Sequence, residues 1–297
     1  MKKILFMLGL SLIVQLAIAQ SFTEKITKEL IFEKKSIDNA LMIANINGSI
    51  KVVGYAGDKI LLTVEKTIKA KTQERLEKGK MEIQLGILDR ADTLILYSNS
   101  PCHQFDRKTN YKNHSNGNKR GWGYNWSDQD GRNCQENYDY TLNFTLQVPA
   151  SVHLRLSTIN NGDISVENMK GSVSADNING SIKLNNLVRE SYASTINGDV
   201  DITYTQNPDK DCRFYTLNGD INAYFQKNLA ASLSFESFNG EFYTNIDQIE
   251  RLPALVEEKK GKEGIKYKVK GNRYKVGKGG ALLDFETFNG NVYLKEN

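Results

Sequence analysis

Four carboxylates occupy one place in a recurring sequence unit: Asp163, Asp199, Asp220 and Glu241 each follow the glycine of an Asn-Gly pair. Acids repeated at one register of a β repeat can line up as oxygen ligands for calcium. Ser49, Ser181 and Asn291 hold that place in the other copies, whereas calcium-binding repeats supply ligands from every coil. These acids are therefore expected as exposed residues at strand ends. A second set with ligand chemistry is Cys102, His103, His114 and Cys134; both residue types suit zinc, but the spacing matches no common zinc pattern. DQDG at 128–131 resembles part of an EF-hand loop, yet that register puts Trp126 at the first ligand position and Asn137 at the last. The remaining histidine, His153, belongs to no nucleophile motif. No catalytic set, cofactor or metal is expected.

What remains is the chemistry of recognition. Trp122 and Trp126, the two tryptophans of the chain, lie with Tyr124 in GWGYNW, on a segment otherwise rich in Asn, Gly, Asp, Lys and Arg. Flat rings on a polar loop suit the apolar faces of sugars, or they pack on the scaffold as a cap. The segment 99–137 reads as an insertion, and Cys102 and Cys134 near its ends are expected to bridge. The third cysteine, Cys212, falls in a column of apolar residues and reads as a small buried hydrophobe.

The elements that would carry these groups come from seven copies of the Asn-Gly device, aligned on Gly48, Gly162, Gly180, Gly198, Gly219, Gly240 and Gly290. Two residues after the glycine stand Ile50, Ile164, Ile182, Val200, Ile221, Phe242 and Val292, and five before it Ile43, Ala175, Ala193, Phe214, Phe235 and Phe285. Such columns are the core-facing positions of period-two strands. Three before the glycine come Asn45, Asn177, Thr195, Thr216, Ser237 and Thr287, while an extra Asn shifts Thr158 by one place.

Positive φ explains the Asn-Gly pair, since Gly accepts it freely and Asn tolerates it. In an antiparallel meander or sandwich the pair would be a type I′ hairpin turn. In a β-solenoid it is a corner, with Asn stacked on Asn and Thr on Thr. Successive glycine intervals of 18, 18, 21 and 21 residues favour the all-β solenoid, with the extra residues opposite the corner in TQNPDKD and QKNLA. Gly290, at the end of the series, is expected to adjoin one coil only.

The stretches STINGDV, DNINGSI, YTLNGDI and GGALLDFETFNGNVYL resemble the family of presumed adhesins with β-strand repeats, bacterial domains of unknown function related to the auto-transporter adhesin head domain. That resemblance implies an extracytoplasmic, non-enzymatic β protein.

Lys2, Lys3, the apolar run Ile4 to Leu16 and the Ala17-x-Ala19 pattern read as a signal peptide, residues 1–19, cut before Gln20. Export to the periplasm or cell surface is expected, with no transmembrane segment after cleavage, and the compartment permits disulfides. The formal net charge of +4, of which the leader lysines supply two, does not point to nucleic acid. Residues 20–297 read as a single β-repeat domain.

One short helix is expected at Lys71 to Lys80, and ILLTVEKTI, MEIQLGILD, TLILYS and YTLNFTLQV read as further strands. Within a second insertion, 250–280, IKYKV and RYKV are expected to form a hairpin around Gly271-Asn272. From Lys259 to Gly280 there are nine basic residues against Glu263 alone, a solvated face or a patch for an anionic polymer. The expected function is an exported, non-catalytic, adhesin-like or envelope-associated structural protein. Its partners would be an envelope polymer, glycan or surface protein. The alternatives are a carbohydrate-binding module using the Trp-rich loop and a polysaccharide-active β-helix enzyme.

Overall fold

Alternation of apolar and polar residues produces strands throughout a computed structural model that describes residues 20–103, 105, 135–261, 264–270 and 272–297. The chain opens with β1 (Gln20–Leu30), β2 (Ala40–Ala44), β3 (Ile50–Tyr55) and β4 (Ile60–Ala70). Helix α1 (Gln73–Glu82) follows, with the Thr72 hydroxyl accepting from the Arg75 N–H at its start. Then come β5 (Gln84–Arg90) and β6 (Thr93–Asn99). The helix extends through Met81 and Glu82, so the expected strand MEIQLGILD begins only at Gln84.

Past the first insertion run β7 (Asp139–Pro149), β8 (His153–Ser157), β9 (Ile164–Glu167), β10 (Val173–Asp176), β11 (Ile182–Leu187), β12 (Ser191–Asn197), β13 (Val200–Tyr204), β14 (Cys212–Asn218) and β15 (Ile221–Phe225). The chain ends with β16 (Ala231–Asn239), β17 (Phe242–Thr244), β18 (Ile249–Leu252), β19 (Leu255–Gly261), β20 (Gly264–Lys270), β21 (Arg273–Val276), β22 (Leu282–Asn289) and β23 (Val292–Glu296).

The protein is all-β apart from α1, with two mixed sheets, neither closed into a barrel. One has ten strands in the order β1-β4-β7-β3-β9-β11-β13-β15-β23-β17, the other eleven in the order β18-β21-β16-β22-β14-β12-β10-β8-β2-β6-β5. From β7 to β17 and from β16 to β6 every neighbouring pair is parallel. Each Asn-Gly pair carries the chain from a strand of the second sheet to a strand of the first, for example from β12 to β13 at Gly198. Such a pair of strands is one rung.

Between the sheets lies the core. Val200, Ile202 and Tyr204 of β13 and Phe214 and Phe285 of the second sheet are fully buried. Cys212 is buried too, its sulfur 3.4 Å from the Tyr204 hydroxyl. Burying a column of such side chains at roughly 25 cal/mol per Å² of apolar surface is the main stabilisation of the stack.

Rung order departs from chain order at both ends. The β6/β7 rung stands outside β2/β3, and the last rung, β22/β23, is inserted between β14/β15 and β16/β17. Gly290 therefore has Gly219 on one side and Gly240 on the other, which corrects the expectation that a single coil adjoins it. The expected hairpin of IKYKV with RYKV is corrected as well. β20 pairs with β19 as a separate two-stranded ribbon, while β21 joins β16 and β18 in the second sheet.

Candidate functional site

The corner glycines form one row along the edge of the stack, and the residues around them form ladders. Asn179 donates its side-chain amide to Asn160, Asn197 to Asn179, Asn218 to Asn197, Asn289 to Asn218 and Asn239 to Asn289, all at 2.8–2.9 Å. Beside it, the Thr158, Thr195 and Thr216 hydroxyls donate to the carbonyls of Gly48, Gly180 and Gly198 at 2.7–2.8 Å. These hydrogen bonds within the ladder are the reason for Asn and Thr at these columns. Positive φ is not, because among the Asn-Gly asparagines only the extra residue Asn161 is left-handed. Glycine is required by close approach: a Cβ on Gly198, at φ 149°, would stand 2.5 Å from the Gly180 carbonyl oxygen.

The acids after the glycines belong to the same edge. Asp163, Asp199 and Asp220 accept the backbone N–H of Ser181, Asp220 and Asn291 at 2.7–2.9 Å, and Glu241 accepts the Tyr243 hydroxyl at 2.6 Å. Each carboxylate joins rungs or caps the last one. Among the described residues no cluster of His, Cys, Asp and Glu could hold a metal ion.

One rung lacks an Asn-Gly corner: β6 and β7 are joined instead by the 99–137 insertion, whose ends therefore emerge on the corner row. Trp122, Tyr124, Trp126, His114 and Cys134 lie outside the described residues. The start of the insertion is visible, with Phe105 stacked on Tyr97 at 4.4 Å and covering Ile46, Ile95 and Ile159 on the outer face of the second sheet. This small apolar cluster was not anticipated, although Ile46 sits in the column two before the corner glycine and Ile159 three before it, shifted by the extra Asn. Along that column cover is lost with distance from the insertion: Ile46 is 2% exposed, Ile196 38% and Phe238 75%.

At the insertion's base is a cleft of about 680 Å³. Asn47 and Asn161 of the first corners, Cys102 and His103, Glu136, Tyr138 and Tyr140 line it, with Lys69 and Thr141. Its size suits a small ligand or a short stretch of polymer. The Tyr138 hydroxyl donates to Glu82 at 2.7 Å, and burial together with that carboxylate raises its pKa. The Tyr140 hydroxyl is buried beside Ser100 and Asn47 without a hydrogen bond of good geometry to either, and Glu136 Oε1 is likewise buried and unpartnered. Burial, reinforced by the charge of Glu136, pushes Tyr140 up to about 12, so it is a neutral phenol that can donate. The cleft thus offers aromatic walls, amides and a phenol without a well-formed hydrogen bond, beside the charged Lys69 and Glu136, groups that can hold a polyhydroxyl ligand.

The other expected residues lie apart from it. The basic ribbon β19–β20 stands beyond the opposite end of the stack, and His153 on β8 meets the Ser172 hydroxyl and the Ile37 carbonyl. No described helix is long and apolar enough to cross a membrane.

No family model matches this chain, and no curated protein matches it. Two solved structures are similar to it. One is a presumed cell adhesion protein from Clostridium sporogenes, 13% identical, covering 93% of this chain and 100% of the other at a TM-score of 0.38. The second is a presumed adhesin from Bacteroides fragilis, 11% identical, covering 92% and 97% at a TM-score of 0.28. Likenesses this remote carry no weight for function.

Proposed function

We propose that this chain is an exported, non-catalytic, adhesin-like β-solenoid that binds a surface or envelope glycan in the cleft beneath its 99–137 insertion. The observation that carries the reading is the Tyr140 hydroxyl, buried without a well-formed hydrogen bond in the wall of a cleft of tyrosines and asparagines. The insertion that brings Trp122, Tyr124 and Trp126 starts and ends at that cleft, since His103 and Gln135 both line it. Long parallel ladders with stacked Asn and Thr support the solenoid. Engagement of the corner carboxylates within the edge supports a non-catalytic role, because a glycosidase needs two free carboxyl groups across its substrate. A Cys102–Cys134 bridge would tie the base of the insertion, contributing roughly 3 to 4 kcal/mol by loop closure. Tying it also reduces the ordering cost of binding.

Screening the mature protein against a glycan array, followed by titration of the best ligand, tests this. Tyr140→Phe should weaken binding about 2- to 10-fold, one hydrogen bond's worth, without lowering the melting temperature. Trp122→Ala with Trp126→Ala should weaken it further. If the tryptophan changes lower the melting temperature and leave glycan binding untouched, the insertion is a cap and the reading fails.

A further inference from the structure

At the far end of the corner row the ladder stops on an unfilled rung. Among the described residues β17 pairs only with β23, and β21 covers β16 only from Ala231 to Ser234. The stretch from Ser237 to Thr244 thus has a rung on one side and none on the other. What it presents can be read from the rungs below.

Each corner N–H donates to the asparagine carbonyl of the next rung, as Gly198 to Asn218, Gly219 to Asn289 and Gly290 to Asn239. From Gly180 onward the corner carbonyl accepts from the Thr or Ser three before the glycine of the next rung, as Gly198 from Thr216, Gly219 from Thr287 and Gly290 from Ser237. Each asparagine Oδ1 takes the next amide, and each residue after the glycine takes the next backbone N–H, as Asn291 takes that of Glu241. Phe288 carries Phe238 stacked at 4.8 Å with the rings 4° from parallel. Gly240 N–H, Gly240 carbonyl, Asn239 Oδ1, the Glu241 carboxylate oxygen that does not take the Tyr243 hydroxyl, and the outer face of Phe238 have no such successor among the described residues. Phe238 is left 75% exposed.

We infer that this edge is a docking site for an extended polypeptide strand of a partner protein carrying Thr or Ser, an apolar residue, Asn and Gly in succession, added in parallel register. The occupant is specified by complementarity, because five groups on one rung match one such strand at ladder spacing. Its hydroxyl meets the Gly240 carbonyl, its asparagine meets both Asn239 Oδ1 and Gly240 N–H, the N–H after its glycine meets Glu241, and its apolar residue covers Phe238. The site is separate from the glycan cleft, which lies at the other end of the row.

Binding of a fluorescent peptide of residues 281–297, which contains Thr287-Phe288-Asn289-Gly290, to the mature protein tests this by anisotropy. Saturable binding is expected, weakened at least about tenfold when the peptide carries Thr287→Ala and Asn289→Ala, the loss for two hydrogen bonds. Phe238→Ala and Asn239→Ala in the protein should each weaken it as well, while Tyr140→Phe should not. Phe238 is exposed, so its replacement leaves the fold intact. Absence of binding, equal binding of the doubly substituted peptide, or indifference to both protein changes would overturn the inference. So would self-association of the protein or glycan binding through Phe238 in place of peptide binding.

Discussion

Valine at Gly290 probes the order of the rungs. A Cβ there would overlap the Gly219 carbonyl oxygen and stand 2.6 Å from its carbon, on a backbone at φ 156°. The Gly290 N–H bond to Asn239 at 3.0 Å and the Thr287 bond to the Gly219 carbonyl at 3.2 Å would both be disturbed. Strain of about 1–3 kcal/mol and two hydrogen bonds at about 1 kcal/mol each give roughly 3–5 kcal/mol. Gly198→Val, equally enclosed, should lose the same. Gly240→Val meets the Gly290 carbonyl in the same way, but its rung has no neighbour beyond it and can move outward, so roughly 1–2 kcal/mol is expected. Urea unfolding of the mature protein measures this as a change in midpoint at constant slope. A small loss at Gly290 with a large one at Gly240 would restore chain order to the rungs and refute the inserted final rung.

Asp176, partly buried on the outer face of the second sheet, is raised to about 6 by burial, with Arg155 opposing. A carboxyl bound more tightly to its proton when folded adds stability at low pH and loses it between about pH 4 and 6, by up to roughly 3 kcal/mol. Asp176→Asn should therefore raise the urea midpoint at pH 8 and leave it unchanged at pH 4; a gain independent of pH would argue against the shift. Tryptic mapping of the exported protein should give a first peptide starting at Gln20 and, unreduced, a Cys102–Cys134 linked pair. A leading peptide that starts at Met1, or free thiols at both positions, would reject export or the bridge.

The columns around the corner glycines were legible because each obeys one physical demand: Ile50, Ile164, Ile182 and Val200 are apolar and all lie fully buried. The reason for Asn was legible in part: Asn stacked on Asn was expected of a solenoid corner, whereas left-handed tolerance selects the same residue and, among the Asn-Gly asparagines, holds only at Asn161. Rung order could not be read. The long connection from Thr244 to Leu282 frees β22 and β23 from following β17 in space, and periodicity carries no information about that. β1 has Phe22, Ile26 and Leu30 at every fourth position, a spacing open to helix or strand, and pairing with β4 decides it. The cleft was hidden because Asn47, Tyr140 and Asn161 meet only once the β6/β7 rung is placed outside β2/β3.

The two ends of the ten-stranded sheet are finished differently, and the contrast bears on what the far end is for. At one edge β1 exposes Glu24, Lys25, Lys28 and Glu29, charges that discourage another strand from pairing. At the other stands β17, and neither it nor β16, the strand of the second sheet that completes its rung, carries a Lys or Arg; this rung exposes Phe238 and Tyr243. Tyr243 also stacks on Tyr293 at 5.1 Å, so rings flank the corner on both outer faces of the last rung. A sheet edge without lysines, with aromatic residues beside unfilled ladder groups, favours addition of a strand. Phe238→Lys would give this edge the protection that β1 already has. It should abolish peptide binding and leave glycan binding in the cleft unchanged, whereas loss of both would mean that the two ends of the row are not independent sites.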